Sequence, residues 1–292
     1  MVIYNSPIMN LFLLGYLFLY FELISSNSYY PTVLIHGIGG SATDLIDLQQ
    51  SLETNGVNVF SLTIGKTKLD SVVWDMEKQC ATLNTTISNL NLSSTKINLL
   101  GISQGGLLAR CYVEKYAHIT KPVHSLVTYG TPHMGIYYSW IDLSHQLDYW
   151  KNPYTYDRYL KSNTFLSYLN NEKPHPYANL YQNNLLSLSH FLMVASTTDK
   201  VISPKESALF EFYNTTLAGE RKTLVIVPLN KSEVYNKSTP LGLNLHKLDQ
   251  QNKLRSIKCE CSHETLKSHS CFNLPLSSSN NQSILNITLS VL

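Results

Sequence analysis

The stretch Lys96-Ile97-Asn98-Leu99-Leu100-Gly101-Ile102-Ser103-Gln104-Gly105-Gly106-Leu107-Leu108-Ala109-Arg110 decides the fold. It reads as a buried strand, a tight turn and the start of a helix. At its centre stands Gly101-x-Ser103-x-Gly105, the nucleophile-elbow pattern. A turn this sharp holds its serine in a strained backbone conformation. Glycines two residues to either side remove the Cβ atoms that would clash, so the Ser103 Oγ is left exposed above the sheet. The next backbone N–H groups open a helix and can face a developing oxyanion. A five-residue pattern with two free positions also arises by chance. The apolar strand before it and Gly106-Leu-Leu-Ala109 after it supply the context it needs.

Working outward, Thr32-Val-Leu-Ile-His36 is another short apolar run, closed by Gly37-Ile38-Gly39-Gly40. It reads as a buried strand entering a glycine-rich loop. Helical patterns cover 41–54 and 70–91, and the helix after the elbow runs to about residue 118. Further strands are expected at 57–64, 123–129, 191–195 and 256–259, with 224–227 extended. Strands that alternate with helices predict an α/β fold: a mostly parallel central sheet with helices on both faces. Residues 137–190 interrupt the alternation with a polar, aromatic segment, including Tyr137, Tyr138, Trp140, Tyr149, Trp150, Tyr156, Tyr159 and Tyr177. It sits where an inserted cap would sit, and its aromatics are expected to line an apolar substrate channel.

Residues 8–24 form an almost uninterrupted apolar run followed by Ser25, Ser26, Asn27 and Ser28. Residues 1–28 therefore read as a secretory signal peptide, although no Lys or Arg precedes the run. An uncleaved anchor is the competing reading; Glu22 inside a run near the lower limit for a membrane span argues against it. The expected mature form has no stable membrane span. The remaining 264 or so residues suffice for one large core, assigned to a single domain over 29–276. The Ser/Asn-rich stretch 277–292 is expected to be a loose, disordered tail.

A hydrophobic content of 43% marks a globular chain, and a net charge of +2 is too small to imply a nucleic acid or an anionic surface as partner; no nucleic acid is expected. The cysteines are Cys80, Cys111, Cys259, Cys261 and Cys271. In a secreted chain they suggest disulfides with one thiol left over. Cys259-x-Cys261 with Cys271 fits no standard zinc spacing, so no metal is expected. Sequons at Asn84, Asn91, Asn214, Asn230, Asn236, Asn281 and Asn286 favour a glycoprotein of the secretory pathway.

A serine hydroxyl is a weak nucleophile and needs a base, itself oriented by a third group. On this architecture the order is Ser, then Asp or Glu, then His. Asp199 directly follows the strand expected at 191–195, and a turn-forming role is its bland alternative. His263 follows the last expected strand. His246 precedes that strand and His269 lies close to Cys271, which makes them the weaker choices. The N–H groups of Ile38 and Gln104 suit an oxyanion hole, while His36 reads as a structural hydrogen-bonding residue. Gly65-Lys66-Thr67 resembles the end of a phosphate-binding loop, but Phe60 stands where that loop needs glycine.

With these residues assembled, the chain resembles the palmitoyl-protein thioesterases, lysosomal α/β-hydrolases that remove fatty acyl groups from cysteine sulfur. The resemblance rests on Pro31-Thr-Val-Leu-Ile-His-Gly37, Ile64-Gly-Lys-Thr67, Ser103-Gln-Gly-Gly106, Tyr149-Trp-Lys-Asn-Pro153, Asn163-Thr-Phe-Leu166 and Asp199-Lys-Val-Ile-Ser-Pro204. It continues through Phe210-Glu-Phe-Tyr213, Leu241-Gly-Leu243 and Ser262-His263, covering roughly 31–276. Glu172-Lys-Pro-His-Pro176 and Cys271-Phe-Asn-Leu-Pro275 look like one animal-type branch, and Ile64-Gly-Lys-Thr67 with Cys80 like the other.

The resemblance implies Ser103 as nucleophile, Asp199 as orienting acid, His263 as base and the Ile38 and Gln104 amides as the oxyanion hole. It implies no cofactor, S-acylated proteins or peptides as substrates, a monomer, and a lysosomal or secreted location. It also implies a disulfide from Cys259 or Cys261 to Cys271. Cys111 is displaced relative to the usual partner of Cys80, which argues against a Cys80–Cys111 bridge. Thr131-Pro-His-Met-Gly135 is lipase-like, which keeps a lipase or carboxylesterase open beside the thioesterase. An inactive lipid-binding glycoprotein is the non-enzymatic alternative.

Overall fold

A computed structural model describes residues 29–137, 147–218, 221–276 and 281–292. The expected signal segment 1–28 lies outside the described residues, as do Tyr138 and Trp140 of the expected cap.

Strands β1 (Thr32–Ile35), β2 (Val59–Leu62), β3 (Ile97–Ile102), β4 (Val123–Tyr129) and β5 (His190–Ser196) precede a hairpin, β6 (Phe212–Ala218) and β7 (Arg221–Val227), and then β8 (Leu254–Cys259). Six of them form one parallel sheet in the order β2-β1-β3-β4-β5-β8. Strands of such a sheet are covered on both faces and so read as apolar runs; β3 is buried at every position. With side chains alternating, Val33, Ile35, Leu99, Leu126 and Met193 join the core formed with helices Met76–Asn89 and Gln104–Lys115. Leu34, Leu100, Val127, Leu192 and Val194 face the opposite core, closed by Leu48 and Leu52 of helix Ile46–Thr54. The chain moves outward from β1 to β2, then restarts on the other side at β3. Loops leaving the carboxyl ends of β1 and β3 therefore diverge, and the crevice between them is where such sheets hold ligands.

Three expectations are corrected, and a fourth, the extended segment 224–227, is placed. The stretch 277–292 is not a loose tail over its described part: Ile284–Leu289 is helical, and Ile284, Leu285, Ile287, Val291 and Leu292 join the second core. Thr288 Oγ1 bonds the Tyr129 hydroxyl at 2.7 Å, and Asn98 Nδ2 donates to the Leu292 carbonyl at 3.1 Å. The apolar positions outweigh the polar composition because, among the described residues, this sheet face has only one long helix, Ile46–Thr54, to cover it. Cys80 and Cys111 are bonded, with Cα atoms 6.3 Å apart. They lie on two helices packed side by side, so packing and not sequence distance sets their approach. The helix expected over 70–91 is broken: Asp70–Val73 makes one turn, and Asp75 caps Met76–Asn89 by accepting the Lys78 N–H at 2.7 Å. The extended segment 224–227 belongs to the β6–β7 hairpin, outside the main sheet.

Cys261 is bonded to Cys271, which leaves Cys259 as a buried thiol. The three sulfurs lie within 4.8 Å of one another, but two are tied in the disulfide and offer no thiolate to a metal. Among the described residues, no helix is long and apolar enough to cross a membrane.

Among the described cap aromatics, Tyr149 lines a cavity with Ile38 and Gln104, and Tyr156 lines another of about 560 Å³ with Phe212 and Tyr213. Tyr159, Phe165 and Tyr181 are buried, Tyr177 is exposed, and several rings pack on each other, as in Tyr156–Tyr159 at 5.8 Å and Tyr168–His175 at 4.7 Å. The cap is built of short helices such as Tyr156–Ser162 and Ala178–Leu186, and Tyr149, Tyr159 and Phe165 join the core on the first face of the sheet.

Candidate active site

Strand β3 ends at Ile102, and helix Gln104–Lys115 begins two residues later. Ser103 makes the turn alone, at φ 54° and ψ −124°. That backbone is rare for a non-glycine residue, and the Ser103 N–H is held by the Tyr129 carbonyl at 2.8 Å. A Cβ on Gly101 would collide with the Gly105 backbone, and one on Gly105 with the Ile35 and His36 carbonyls. The two glycines thus let the helix start descend onto β1 and β3. Gly37 faces the serine: a Cβ there would stand 3.1 Å from Ser103 Cβ.

The acid leaves the carboxyl end of β5. Asp199 Oδ1 accepts the N–H groups of Val201 and Ile202 at 2.8 and 2.9 Å, which fixes the carboxylate plane. Its Oδ2 lies 2.7 Å from His263 Nδ1. The carboxylate is 2% exposed and the imidazole 11%. With Nδ1–H donating to the carboxylate, Nε2 carries the lone pair. His263 follows β8 and lies inside the loop closed by Cys261–Cys271. Ser103, His263, Ile38 and Gly37 line one cavity of about 290 Å³.

Gln104 is the first residue of its helix, so its N–H has no intrahelical acceptor. Its side chain is locked. Nε2 donates to the Ser71 carbonyl and to Gln79 Oε1, both at 2.9 Å, and Oε1 accepts the Tyr149 hydroxyl at 2.9 Å. The loop carrying Ile38 is tied to the same place, because Gly39 N–H donates to Ser71 Oγ at 2.8 Å. Ser71, Gln79 and Tyr149 were not singled out for this role in the sequence. The bonds join segments 25 to 45 residues apart, and no local pattern announces them.

His36 has the expected structural place: Nε2 accepts the Ile64 N–H at 3.0 Å, and burial lowers its pKa. His269 bonds Ser51 at 3.1 Å beside helix Ile46–Thr54, and exposed His246 packs edge-on against Tyr235. Neither lines the Ser103 cavity.

Behind the elbow helix lies a buried polar cluster. Arg110 Nε donates to Glu114 Oε1 at 2.8 Å and its Nη2 to Asn170 Oδ1 at 2.5 Å. His133 bonds Thr128 Oγ1 at 2.9 Å and stacks on Phe210 with ring centres 4.4 Å apart. Burial holds the His133 pKa well below the usual imidazole value, with Arg110 adding to the effect, so the ring stays neutral. The cluster joins the elbow helix to the cap.

A parallel sheet switching direction at β1, with the elbow after β3 and the acid and histidine after β5 and β8, defines an α/β-hydrolase. Residues 31–263 match the sequence model of the palmitoyl protein thioesterase family, and the chain belongs to that family as a thioesterase-like hydrolase. It is 29% identical over 257 residues to palmitoyl-protein thioesterase 3 of Dictyostelium discoideum, covering 80% of this chain and 84% of that one. It is 26% identical over 214 residues to the human lysosomal thioesterase PPT2, covering 64% and 69%. Among solved structures, the RedJ thioesterase of the Streptomyces coelicolor prodiginine pathway aligns with a TM-score of 0.45 and 13% identity, covering 91% and 92%.

Proposed function

We propose that the protein hydrolyses long-chain fatty acyl thioesters, such as palmitoyl-cysteine in proteins or peptides, through an acyl-enzyme on Ser103. The observation that carries this reading is the convergence of Ser103, His263 and Ile38 on one cavity, with Asp199 2.7 Å behind the imidazole. Ser103 Oγ attacks the thioester carbonyl while His263 Nε2 takes its proton. Asp199 holds the tautomer and stabilises the imidazolium. The Ile38 and Gln104 N–H groups receive the oxyanion. The cysteine sulfur then leaves, taking the proton from His263; a thiol with a pKa of about 8.5 is a good leaving group. A water deprotonated by His263 attacks the acyl-enzyme, and the fatty acid is released as Ser103 regains its proton. Every step uses groups of the chain and water.

Family membership supports acyl thioesters as the substrate class. Two disulfides and a relative named as a lysosomal thioesterase support a lysosomal or secreted location. The test compares palmitoyl-thioester with palmitoyl oxygen-ester hydrolysis, with Ser103→Ala as control. Thioester turnover that vanishes in Ser103→Ala is expected. Turnover of the oxygen ester alone would make the enzyme a lipase or esterase.

A further inference from the structure

Three sulfurs meet where the chain leaves β8. Cys259 closes the strand and Cys261 follows two residues later, and both enter the second core beside Cys271 of the short helix His269–Phe272. The three Sγ atoms lie within 4.8 Å of one another. Cys261 and Cys271 are bonded, while the buried Cys259 thiol donates to the Ala195 carbonyl at 3.6 Å. A thiol against a disulfide is the reactant pair of thiol–disulfide exchange. Residues two apart on an extended chain stand about 6.6 Å from each other, at the upper end of what a disulfide spans. Cys271 is therefore the sulfur for which Cys259 and Cys261 compete. β8 is an edge strand paired with β5 alone, so its last residue can shift without disturbing a second neighbour.

The present bond lies close to the base. His263 is two residues beyond Cys261, whose carbonyl accepts the Ser196 hydroxyl and, at 2.7 Å, the Thr198 hydroxyl. Those hydroxyls lead into the Asp199 turn, so the disulfide and the carbonyl pin one residue beside the acid. A bond from Cys259 to Cys271 would move the covalent pin back into the sheet and leave the carbonyl bonds to hold the loop alone. The closed loop would be only two residues longer, so its cost in chain entropy would hardly change.

We propose that Cys259 exchanges with Cys261 for Cys271, giving two disulfide isomers of which the Cys261–Cys271 form holds His263 for turnover. The Cys259 sulfur attacks the Cys271 sulfur, the Cys261–Cys271 bond breaks, and the Cys261 thiolate leaves and takes up the proton that Cys259 gave away. The number of disulfides and thiols is unchanged, so no oxidant or reductant takes part. The effect on turnover rests on the thioesterase reading above. The attacking species is the thiolate. Burial pushes the Cys259 thiol up, and the nearby Asp199 carboxylate adds to this. Of the other described groups around it, Tyr129 is kept neutral by burial, Glu264 and Lys267 line the Ser103 cavity, and His269 bonds Ser51. Lys258 and Glu260 on either side are exposed, and Ile284–Leu289 carries no ionisable group. Exchange is therefore slow in acid and quickens about tenfold per pH unit below the thiol pKa.

The experiment holds the folded protein at pH 5 or pH 8, quenches it in acid, unfolds it, labels thiols with N-ethylmaleimide and maps the peptides without reduction. The label is expected on Cys259 at pH 5 and divided between Cys259 and Cys261 at pH 8, with Cys271 unlabelled in both. Protein held at pH 8 and assayed at pH 5 should lose thioester turnover in the proportion in which the label has moved. Cys259→Ala should keep its turnover through the same treatment. Cys261→Ser should carry the Cys259–Cys271 bond, with kcat about tenfold lower or worse and KM little changed, as befits a displaced base. A label that stays on Cys259 at both pH values, or that appears on Cys271, would overturn the proposal. So would exchanged protein with undiminished kcat, since the bond would then not govern His263. Exchange in a wild type that cleaves no thioester would reject the thioesterase reading and leave the two isomers standing.

Discussion

The Asp199 carboxylate and the His263 imidazole, 64 residues apart in the chain, meet at 2.7 Å because β5 and β8 are paired neighbours that run parallel. The Ser196↔Cys259 pairing brings the two carboxyl ends level, so both residues leave the sheet on the same side. The second Asp199 oxygen is fully used on backbone N–H groups, which leaves the carboxylate one orientation. Asp199→Asn keeps the shape and those acceptor bonds but can present an N–H to Nδ1, favouring the wrong tautomer. The expected outcome is a drop in kcat of about 10³–10⁴-fold with an unchanged melting temperature. Near-wild-type turnover in steady-state kinetics would remove Asp199 from the mechanism.

Tyr149 reaches Gln104 from the cap. Its hydroxyl is the donor to Gln104 Oε1, inside a network that is otherwise closed. Tyr149→Phe leaves that oxygen buried without its partner, at a cost of about 1–3 kcal/mol in denaturant unfolding. Turnover should fall with KM little changed, because the disturbed residue carries a proposed oxyanion N–H rather than a substrate contact. A variant with reduced stability and full kcat would show that the network serves folding alone.

The Cys261–Cys271 bond closes a loop of little apolar surface around His263. Cys271→Ser frees it. Misplacement of a catalytic group by about 1 Å can cost a hundredfold, so kcat should drop more than KM rises, and stability should fall by about 2–4 kcal/mol. Non-reducing peptide mapping should find Cys261 with Cys271 and Cys259 as a thiol. A free Cys271 in active enzyme contradicts the arrangement.

His133 titrates unfavourably in the folded state. Its folded pKa lies well below the unfolded value near 6.5, so the unfolded chain binds a proton the native chain refuses. The stability tied to this ring is complete above about pH 6.5. It is lost as pH falls toward the folded pKa, by up to about 1.4 kcal/mol per pH unit. His133→Gln should remove this part of the slope. Urea unfolding of both proteins between pH 7 and pH 5 measures it as a difference; parallel stability curves would mean that the imidazole is protonated in place.

Much of the candidate site's geometry was legible in the residues, for identifiable reasons. The elbow is a local device, and its glycines at 101 and 105 are demanded by backbone collisions that any such turn meets. The places of Asp199 and His263 follow from the order in which strands reach the sheet. The Ser71, Gln79, Gln104 and Tyr149 bonds were not legible, because they depend on how a broken helix and the cap come together. The Cys80–Cys111 bond was missed for the same reason, being a property of two packed helices. The C-terminal segment is polar in composition, yet spacing decides its fate: Ile284, Leu285, Ile287, Val291 and Leu292 are few, but all face inward.

That segment gives the molecule a schedule. The face of β1, β3 and β4 that Ile284–Leu292 covers is made early in synthesis, and its cover is made much later. At about 5–20 residues per second, β1 waits roughly 10–50 s for its final neighbours. Throughout that interval Leu34, Leu100 and Val127 lack part of their lid. Loss of the segment Ile284–Leu292 would therefore leave that face of the sheet open to solvent.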